Sequence, residues 1–579
     1  MDARRLRPRP AETAQLIELR LGAQRAEVGP LLEVNGGMRT LPDPHARVAR
    51  RNPSGLDVAW PDGLRVAFRA RREGRGYRVD CSVSSDHDVR VGAIGVRILG
   101  LSATRMLADG YHSWDWAGVR DAEQGRGWWG GVWGSPGGPY TTVALHAPPR
   151  LGPLLLRWNT GRSVGAMTVG APPQGRHMTG EPPLLGVDLA AGATLRGDAI
   201  RIAPLDRRSP WGTGLPRLRA ADHRPLPRIA GWMSWNCLGP AVTAADVVDA
   251  AASLTPPGGL ALLDDGWMPH WGDWTPRDDF DNTLPGLVDA VHSTGRRLGL
   301  WLAPFLVDPE SRAAVEHRDL LLRDATGAPV VSTRSPRPQL VIDASQRAAR
   351  SHLAAIGRSL GRLGVDALKL DFLFAGALHG ERHDGMSDIA ALRAGVQALA
   401  RAYRSTAPRG ALVLGCGAPA APLVGLVDAC RSGDDTVVNV PAANAPPPPR
   451  PHFAHGEALL RAQARNLAAR AWLWGATVPP DADAVSLATI GDSPAPDAGS
   501  AQRWLKLAAR SGGPLLDSDS PDGRVDAQRL RMLRRAQRDV QGSPPRPDRG
   551  HDPLDGAPVA HDDAAFQEWP DSLPSGWDG

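Results

Sequence analysis

The chain has 579 residues, of which 42% are hydrophobic and 22% are charged. At about 100–200 residues per domain this length predicts several domains, and the apolar content excludes a chain that is disordered throughout. The net charge of +5 is small for the length, and the basic residues are spread along the chain, which argues against a nucleic-acid-binding surface.

Lysine and cysteine are both scarce. Of the 67 basic residues only Lys369 and Lys506 are lysines, which indicates a coding bias toward arginine and draws attention to each lysine that is kept. The four cysteines lie far apart without a CxxC pair, so neither a disulfide scaffold nor a zinc ribbon is expected. No apolar run has the length of a signal peptide or a membrane span. We therefore expect a cytoplasmic protein that binds no membrane and needs neither metal nor cofactor.

Residues 1–220 have the pattern of an antiparallel β-domain. Apolar Leu64, Val66 and Phe68 alternate with the residues between them, and a second alternating run begins at Tyr77. A period of two is typical of strands with one buried face. No helical pattern interrupts these runs, so the region is predicted to be a β-sandwich.

The pattern changes near residue 225, where short apolar runs begin to alternate with Ala/Leu/Arg-rich helical stretches. Thr243, followed by Asp246, resembles a capping box that opens the first of these helices. Strands that alternate with helices form parallel sheets. The runs end in polar residues and no GxGxxG motif follows the first of them, which favours a (β/α)8 TIM barrel over residues 225–520.

The assignments after residue 440 rest on weaker patterns. The segments 469–476 and 512–519 are predicted to supply the last two barrel strands. Residues 521–540 are expected to form a short helical remnant, and the acidic, Pro-rich tail 541–579 is expected to be disordered. The overall prediction is an α/β chain with a TIM barrel preceded by an N-terminal antiparallel β-sandwich.

In a TIM barrel the functional residues lie at the carboxyl ends of the strands. The predicted strand ends carry carboxylates, two cations and several indole rings, without a metal-ligand pattern, a G-x-S-x-G elbow or a P-loop. Indole rings stack on the C–H faces of sugars, and cleavage of a glycoside needs two carboxyl groups. This set therefore favours a carbohydrate substrate.

Lys369 and Asp371 are the most informative pair in the sequence. They lie two residues apart on a predicted strand, so their side chains share one face. Two charges on the inward face of a buried parallel strand are costly unless they are paired and used. Two further pairs have two interpretations each. Asp264-Asp265 is either part of a functional site or a turn that ends a strand. Arg431 with Asp435 is either part of a functional site or a surface ion pair.

Six motifs occur in an order that resembles the α-galactosidases of glycoside hydrolase family 36 and, more distantly, family 27. They are GWMSW (231–235), LLDDGW (262–267), LGLWLAPF (298–305), LKLDFLFAGAL (368–378), LGCGAP (414–419) and RSGDD (431–435). The resemblance extends more loosely over the N-terminal region, where such enzymes carry a β-supersandwich and where Trp114, in GYHSW, matches a tryptophan near the sugar.

The resemblance implies a retaining α-galactosidase that acts on melibiose and raffinose-type oligosaccharides. Asp371 would be the nucleophile that forms a covalent β-galactosyl intermediate, and Asp435 would be the general acid/base. For retention the two carboxyl groups should lie about 5–5.5 Å apart. The residues implied to bind the sugar are Asp264, Asp265, Lys369, Arg431, Trp235, Trp301, Cys416 and Trp114.

The sequence departs from the family pattern in ways that leave alternatives open. Asp434 is an extra carboxylate beside the implied acid, and the family's C-terminal β-sandwich is essentially missing, so a homo-oligomer is among the states left open. A galactosyl transferase of the raffinose-synthase type would use the same intermediate. A catalytically impaired galactoside-binding protein is the third hypothesis.

Overall fold

The computed structural model describes residues 15–99, 187–204, 229–439 and 478–542 with short internal gaps, and shorter pieces between these ranges. The shorter pieces are 105–109, 113–114, 117–121, 142–146, 154–158, 167–169, 453–455 and parts of 460–470. Of the tail predicted to be disordered, residues 543–579 lie outside the described residues, and the domain boundaries given above stay predictions.

The described N-terminal strands form two sheets that pair antiparallel except where β13 runs parallel to β8. Their bounds are β1 Ile17–Leu21, β2 Gln24–Val34, β3 Gly37–Thr40, β4 Arg47–Asn52, β5 Gly55–Ala59, β6 Leu64–Glu73, β7 Gly76–Ser85, β8 Val89–Leu99, β9 Arg105–Asp109, β10 Ala117–Asp121, β11 Thr142–His146, β12 Leu154–Trp158, β13 Met167–Val169, β14 Val187–Leu189, β15 Thr194–Arg196 and β16 Ile200–Pro204. One sheet is built on β1-β2-β8-β13 and the other runs from β10 to β4.

The alternation in the sequence accounts for the core of these sheets. Val66 and Phe68 of β6 are buried and lie opposite Val83 and Cys81 of β7, while Arg65 points to solvent. Burying one face of each strand in this way stabilises the fold by about 25 cal/mol for each Å² of apolar surface removed from water.

The remaining strands begin at residue 230. Their bounds are β17 Ala230–Met233, β18 Leu260–Leu263, β19 Arg297–Leu302, β20 Leu306–Val307, β21 Val331–Ser332, β22 Gln339–Val341, β23 Ala367–Leu370, β24 Leu412–Gly415, β25 Ala429–Arg431, β26 Val437–Asn439, β27 Phe453–His455, β28 Pro480–Asp481 and β29 Leu515–Asp517. Eight of them form one parallel sheet in the order β28-β25-β24-β23-β19-β18-β17-β29.

This parallel sheet curls into a barrel. Val485, just after β28, pairs in parallel with Asp517 of β29, so the two ends of the sheet meet. The predicted fold class, a barrel preceded by antiparallel sheets, is confirmed. The segment 469–476, predicted as the seventh strand, lies outside the described residues except for Arg470, which is helical, and the strand that pairs with β25 at this place in the barrel is Pro480–Asp481. The strand Pro480–Asp481 is too short to show a period of two, which explains why the sequence did not predict it.

Helices follow the barrel strands on the outside. Their bounds are Trp235–Leu238, Ala244–Ser253, Leu284–Ser293, Arg312–Glu316, Arg347–Arg362, Asp388–Arg404, Ala420–Leu423, Ala498–Arg510 and Ala527–Gly542. The capping box is confirmed, since the Thr243 hydroxyl accepts from the Asp246 N–H and the Asp246 carboxylate accepts from the Thr243 N–H. Among the described residues, none of the helices is both apolar and long enough to cross a bilayer.

Candidate active site

The site lies at the carboxyl ends of the barrel strands, as expected for this fold. Lys369 lies within β23, and the other polar residues lie at the last position of a strand or in the loop that follows it. Asp264 follows β18, Asp371 follows β23, Cys416 follows β24, and Arg431 ends β25. Parallel strands end at one edge of the sheet, which is why residues far apart in sequence converge here.

Asp264, Lys369 and Asp371 form a group that we call the lysine cluster. The Lys369 Nζ lies 2.7 Å from the Asp264 Oδ2 and 3.8 Å from the Asp371 Oδ2. All three residues are buried, with 2%, 7% and 7% of their surface exposed. A buried charge needs a partner of opposite sign, so each member of the cluster makes the others tolerable.

The electrostatics of the lysine cluster follow from this burial. Burial alone would lower the pKa of Lys369, but the attraction of Asp264 and Asp371 outweighs it and raises the pKa. Burial raises the pKa of Asp264, and the pull of Lys369 offsets only part of that rise. Lys369 therefore stays protonated throughout the physiological range and keeps a positive charge beside both carboxylates.

Asp371 is held by two hydrogen bonds besides its contact with Lys369. The Trp301 Nε1–H donates to its Oδ2 at 3.1 Å, and the Phe372 N–H donates to its Oδ1 at 2.7 Å. Phe372 has a φ of 50°, in the left-handed region that residues other than glycine rarely adopt. Strain of this kind persists only where the surroundings enforce it and concentrates at functional sites.

Asp265 stands beside the lysine cluster and faces a different partner. The Trp271 Nε1–H donates to its Oδ1 at 2.9 Å, and its own N–H donates to the Asp264 Oδ1 at the same distance. Burial raises the pKa of Asp265 to about 7, against the effect of the Trp271 hydrogen bond. Asp265 can therefore donate as well as accept a hydrogen bond near neutral pH.

Arg431, Asp435 and Asp483 form a second group, the arginine cluster. The Arg431 Nη2 lies 2.6 Å from the Asp435 Oδ1 and 2.7 Å from the Asp483 Oδ2. Arg431 and Asp483 are buried, whereas 47% of the Asp435 side chain is exposed. The adjacent Asp434 accepts the Asp435 N–H at 2.9 Å through its Oδ1 and so orders the loop.

Asp483 and its neighbour Asp481 also belong to this site, although they were not among the residues predicted from the sequence. Asp483 accepts the Thr436 N–H at 2.9 Å, and its own N–H donates to the Asp481 carboxylate at 3.0 Å. Asp483 also has a φ of 72°. Burial raises the pKa of Asp483, with the attraction of Arg431 opposing it. The sequence feature that could have revealed them is the pair of aspartates in PPDAD (479–483). These aspartates lie at the end of a barrel strand, as the predicted site residues do.

Cys416 lies between the two clusters. The Arg431 Nη1–H donates to its Sγ at 3.9 Å. Burial raises the pKa of the Cys416 thiol well above its usual value, and the charge of Asp371 raises it further while Arg431 and Lys369 oppose this rise. Cys416 is thus a neutral thiol that borders Asp371 on one side and Arg431 on the other.

The three tryptophans of the predicted site have different surroundings. Trp301 is buried and packs against Trp271, 5.1 Å between ring centroids. Trp114 reaches the barrel from the N-terminal region and contacts Phe372 edge-on at 5.5 Å. Trp235 is partly buried and packs near Val437. The structure brings all the predicted site residues to the carboxyl end of the barrel. Trp301 also turns its indole N–H toward Asp371.

One group in the described part of the chain has the composition of a metal site. His270, Asp308 and Glu310 have candidate ligand atoms within 4.8 Å of one another. The His270 Nδ1 lies 3.7 Å from the Asp308 Oδ2, and Glu310 donates its N–H to the Asp308 Oδ1, so the group also forms a loop-ordering network without an ion. The carboxylates that the sequence predicts to be catalytic belong to the two clusters instead.

Comparison with known proteins adds sequence evidence for this segment of the barrel. Residues 234–374 match the Melibiase family model. Alpha-galactosidase 2 of Pediococcus pentosaceus is 32% identical over 122 residues, which are 20% of this chain and 16% of the relative. Alpha-galactosidase Mel36A of Lactobacillus acidophilus is 32% identical over 137 residues, 22% of this chain and 17% of the relative. The resemblance to family 36 α-galactosidases is confirmed.

The aligned sequence spans about a sixth of these curated relatives, yet the fold matches over most of the chain. TtGalA, an α-galactosidase from Thermus thermophilus solved with stachyose, superposes with a TM-score of 0.59 at 22% identity over 90% of this chain and 99% of that one. AgaA of Geobacillus stearothermophilus gives a TM-score of 0.55 at 14% identity over 88% of this chain and 75% of its own. At such identities the structures show a shared fold.

Proposed function

We propose that the chain is a retaining α-galactosidase that hydrolyses terminal α-D-galactosides by double displacement. The observation that carries the proposal is the setting of Asp371, a buried carboxylate at the end of β23 with Lys369 at 3.8 Å and two hydrogen-bond donors. This setting lies inside the segment that matches the Melibiase model. Donors that hold a carboxylate in one orientation are what a nucleophile needs.

In the first step the Asp371 carboxylate attacks the anomeric carbon, and the bond to the leaving group breaks. Asp435, on the more exposed side of the site, protonates the departing oxygen. In the second step Asp435 removes a proton from water, which attacks the same carbon and releases Asp371. The contact with Arg431 is one that the ionised Asp435 makes, and this form is the base of the second step.

The remaining site residues supply binding in this proposal. Asp264, Asp265 and Lys369 hold galactose hydroxyls, and the ability of Asp265 to donate or accept suits a hydroxyl partner. Arg431 and Cys416 line the pocket between the two carboxylates. Trp235, Trp301 and Trp114 enclose the sugar, and Trp301 also orients Asp371. No metal or cofactor takes part in these steps.

We propose raffinose-type oligosaccharides and melibiose as the substrate class. Two structural neighbours were solved with members of this class, TtGalA with stachyose and a variant of AgaA with raffinose. Transfer of the galactosyl group to a sugar acceptor would use the same intermediate. The product distribution in the presence of sucrose separates hydrolysis from transfer.

The first test is the release of p-nitrophenol from p-nitrophenyl α-galactoside, with and without sucrose. We expect release in both conditions and free galactose as the main product. Asp371→Ala should lower the rate by about 10⁴-fold, and azide should restore it with formation of β-galactosyl azide. Absence of any release by the unmodified chain would leave only the binding-protein hypothesis.

The second test compares neighbouring carboxylates. Asp435→Asn should lose much more activity on raffinose, whose leaving group needs protonation, than on the nitrophenyl substrate. Asp434→Asn is the matched control and should lower both rates by similar, smaller factors. If Asp434→Asn instead shows the substrate-dependent loss, the acid has been assigned to the wrong residue.

A further inference from the structure

Trp271 contacts both the sugar-binding and the nucleophilic parts of the proposed site, although it was not among the residues predicted from the sequence. It lies in the loop that joins β18 to the helix Leu284–Ser293, six residues after Asp265. Its indole N–H donates to Asp265, and its ring packs against Trp301 and Phe372. Trp271 therefore has a polar contact with one carboxylate and apolar contacts with the neighbours of another.

The polar contact holds one oxygen of Asp265. The Trp271 Nε1 lies 2.9 Å from the Asp265 Oδ1. An indole N–H can only donate, so it favours the ionised carboxylate, whose oxygens are the stronger acceptors. Burial raises the pKa of Asp265 to about 7, and the Trp271 hydrogen bond opposes that rise. Loss of the indole N–H would therefore leave the carboxyl group of Asp265 less well oriented and more often protonated.

The apolar contacts involve the two residues that orient Asp371. The ring centroid of Trp271 lies 5.1 Å from that of Trp301 and 5.1 Å from that of Phe372. Both distances fall in the range of about 4.5–7 Å at which aromatic rings attract one another. Trp301 donates its indole N–H to one oxygen of Asp371, and Phe372 donates its backbone N–H to the other. The Trp271 ring thus packs against both hydrogen-bond donors of the proposed nucleophile.

The backbone around Trp271 is anchored to the barrel independently of Asp265. The Trp271 carbonyl accepts the Asp308 N–H at 2.8 Å, which joins its loop to the residue that follows β20. The next residue, Gly272, has a φ of +107°, and a Cβ placed there would lie 2.9 Å from the Val307 Cγ1. Glycine allows both this conformation and this close approach. Because its backbone is fixed in this way, Trp271 can orient its neighbours rather than follow them.

We propose that Trp271 is a positioning residue that holds Asp265 and Asp371 in a fixed relation to each other. The inference rests on the proposed function, in which Asp265 binds a galactose hydroxyl and Asp371 attacks the anomeric carbon. The hydroxyl and the anomeric carbon belong to one sugar ring, so a small change in the relation between the two carboxylates misplaces the attack. The indole N–H acts on binding through Asp265, and the ring acts on the attack through Trp301 and Phe372.

Two substitutions of Trp271 separate these actions in the p-nitrophenyl α-galactoside assay. Trp271→Phe removes the N–H but keeps an aromatic ring. We expect KM to rise about tenfold, the effect of one hydrogen bond to a carboxylate, while kcat stays within about twofold. Trp271→Leu also removes the ring and should in addition lower kcat by about 10²-fold. Urea unfolding gives the folded fraction to which kcat is normalised, and Trp271→Met replaces the leucine variant if that variant does not fold.

Trp274→Phe is the matched control. Trp274 lies in the same loop, and its ring centroid is 6.3 Å from that of Trp301. Among the described contacts it has neither a ring contact with Phe372 nor a hydrogen bond to Asp265. The KM of Trp274→Phe should therefore stay within about twofold of that of the unmodified chain.

The outcomes distinguish this inference from the proposed function. A merely structural role for Trp271 would lower the folded fraction and leave KM unchanged. That result, or equal KM values for Trp271→Phe and Trp274→Phe, overturns the inference. Equal normalised kcat values for Trp271→Phe and Trp271→Leu would overturn it as well, because the ring would then have no effect on the attack. An unmodified chain that releases no nitrophenol would reject the proposed function itself, and the inference with it.

Discussion

The lysine cluster and the arginine cluster both place charged residues at the carboxyl end of the barrel, but they differ in how deeply their carboxylates are buried. Lys369 lies on β23 and Asp371 directly follows this strand, and all members of the lysine cluster are buried. In the arginine cluster Asp435 stands in a loop, half exposed, and Arg431 also contacts Asp483, which lies two residues after β28. A rigid carboxylate suits bond formation, whereas a carboxylate open to solvent suits proton exchange with water.

Removing the cation of the lysine cluster should have the largest effect. Lys369→Met keeps the length of the side chain but leaves the buried Asp264 and Asp371 without a positive charge beside them, so we expect a loss of about 3–5 kcal/mol in the free energy of unfolding. Activity should fall by at least about 10³-fold. Urea unfolding and the nitrophenyl assay measure the two effects.

The second lysine of the chain is the matched control for this variant. Lys506 lies on the helix Ala498–Arg510, away from the site and partly exposed, so Lys506→Met should change the stability by less than about 1 kcal/mol. Equal stabilities of the two variants would contradict the idea that the lysine cluster depends on its ion pairs.

The same contrast explains what could be predicted from the sequence. Lys369 and Asp371 were recognisable because a strand has a period of two and charges on a buried face are costly. The barrel was recognisable from the alternation of apolar runs and helices. Asp264 followed from its position at the end of a strand.

Asp483 could not be found in this way. It lies 52 residues after Arg431, on a stretch where the barrel strand is only Pro480–Asp481, too short to have a period. Its contact with Arg431 exists only once β28 has paired with β25, so no local pattern records it. The left-handed conformation of Phe372 is likewise not recorded by any local pattern, and the ring of this residue packs against Trp114 and Trp271.

Asp483→Asn tests how far the arginine cluster depends on this distant partner. The amide keeps the shape and can still accept the Thr436 N–H, but Arg431 loses one of its two carboxylates. We expect kcat to fall by about 10²-fold, because a misplaced Arg431 changes the position of Asp435. Asp481→Asn is the control, since Asp481 has no hydrogen bond to Arg431 among the described contacts. Equal losses in both would argue for general charge rather than the Arg431 contact.

Gly417 connects the two clusters to the N-terminal region and can be probed by one methyl group. It follows Cys416, has a φ of +60°, and a Cβ placed there would lie 2.8 Å from the Trp114 ring. Gly417→Ala should therefore destabilise the chain through both backbone strain and overpacking.

Gly425→Ala separates these two causes. Gly425 has a φ of +77° and open space around the added methyl, so this variant carries the backbone strain alone, about 1 kcal/mol. We expect Gly417→Ala to cost about 1–3 kcal/mol more than Gly425→Ala and to raise KM. If both variants unfold at the same urea concentration, the contact with Trp114 is not tight.

The smallest expected effect concerns the pH dependence of stability beside the lysine cluster. The pKa of Asp265 is about 7 in the folded chain and about 3.9 in the unfolded chain, so the folded state keeps a proton that the unfolded state loses as pH rises above 4. The contribution of Asp265 to the stability is therefore lost progressively between pH 4 and 7 and does not change above that range. Asp265→Asn removes this loss.

We compare the free energy of unfolding of Asp265→Asn with that of the unmodified chain. The difference, variant minus unmodified, should increase with pH up to about 7. The increase should be less than about 1.4 kcal/mol per pH unit because Asp265 is partly exposed. Asp324→Asn is a control of opposite sign. Hydrogen bonds from Thr326 lower the pKa of Asp324, so the contribution of Asp324 to the stability is complete above pH 4. The free energy of unfolding of Asp324→Asn minus that of the unmodified chain should therefore not change from pH 5 to 8. Urea midpoints at pH 5, 6, 7 and 8 measure both, and a flat curve for Asp265→Asn would mean that Asp265 is ionised throughout, held by the Trp271 hydrogen bond alone.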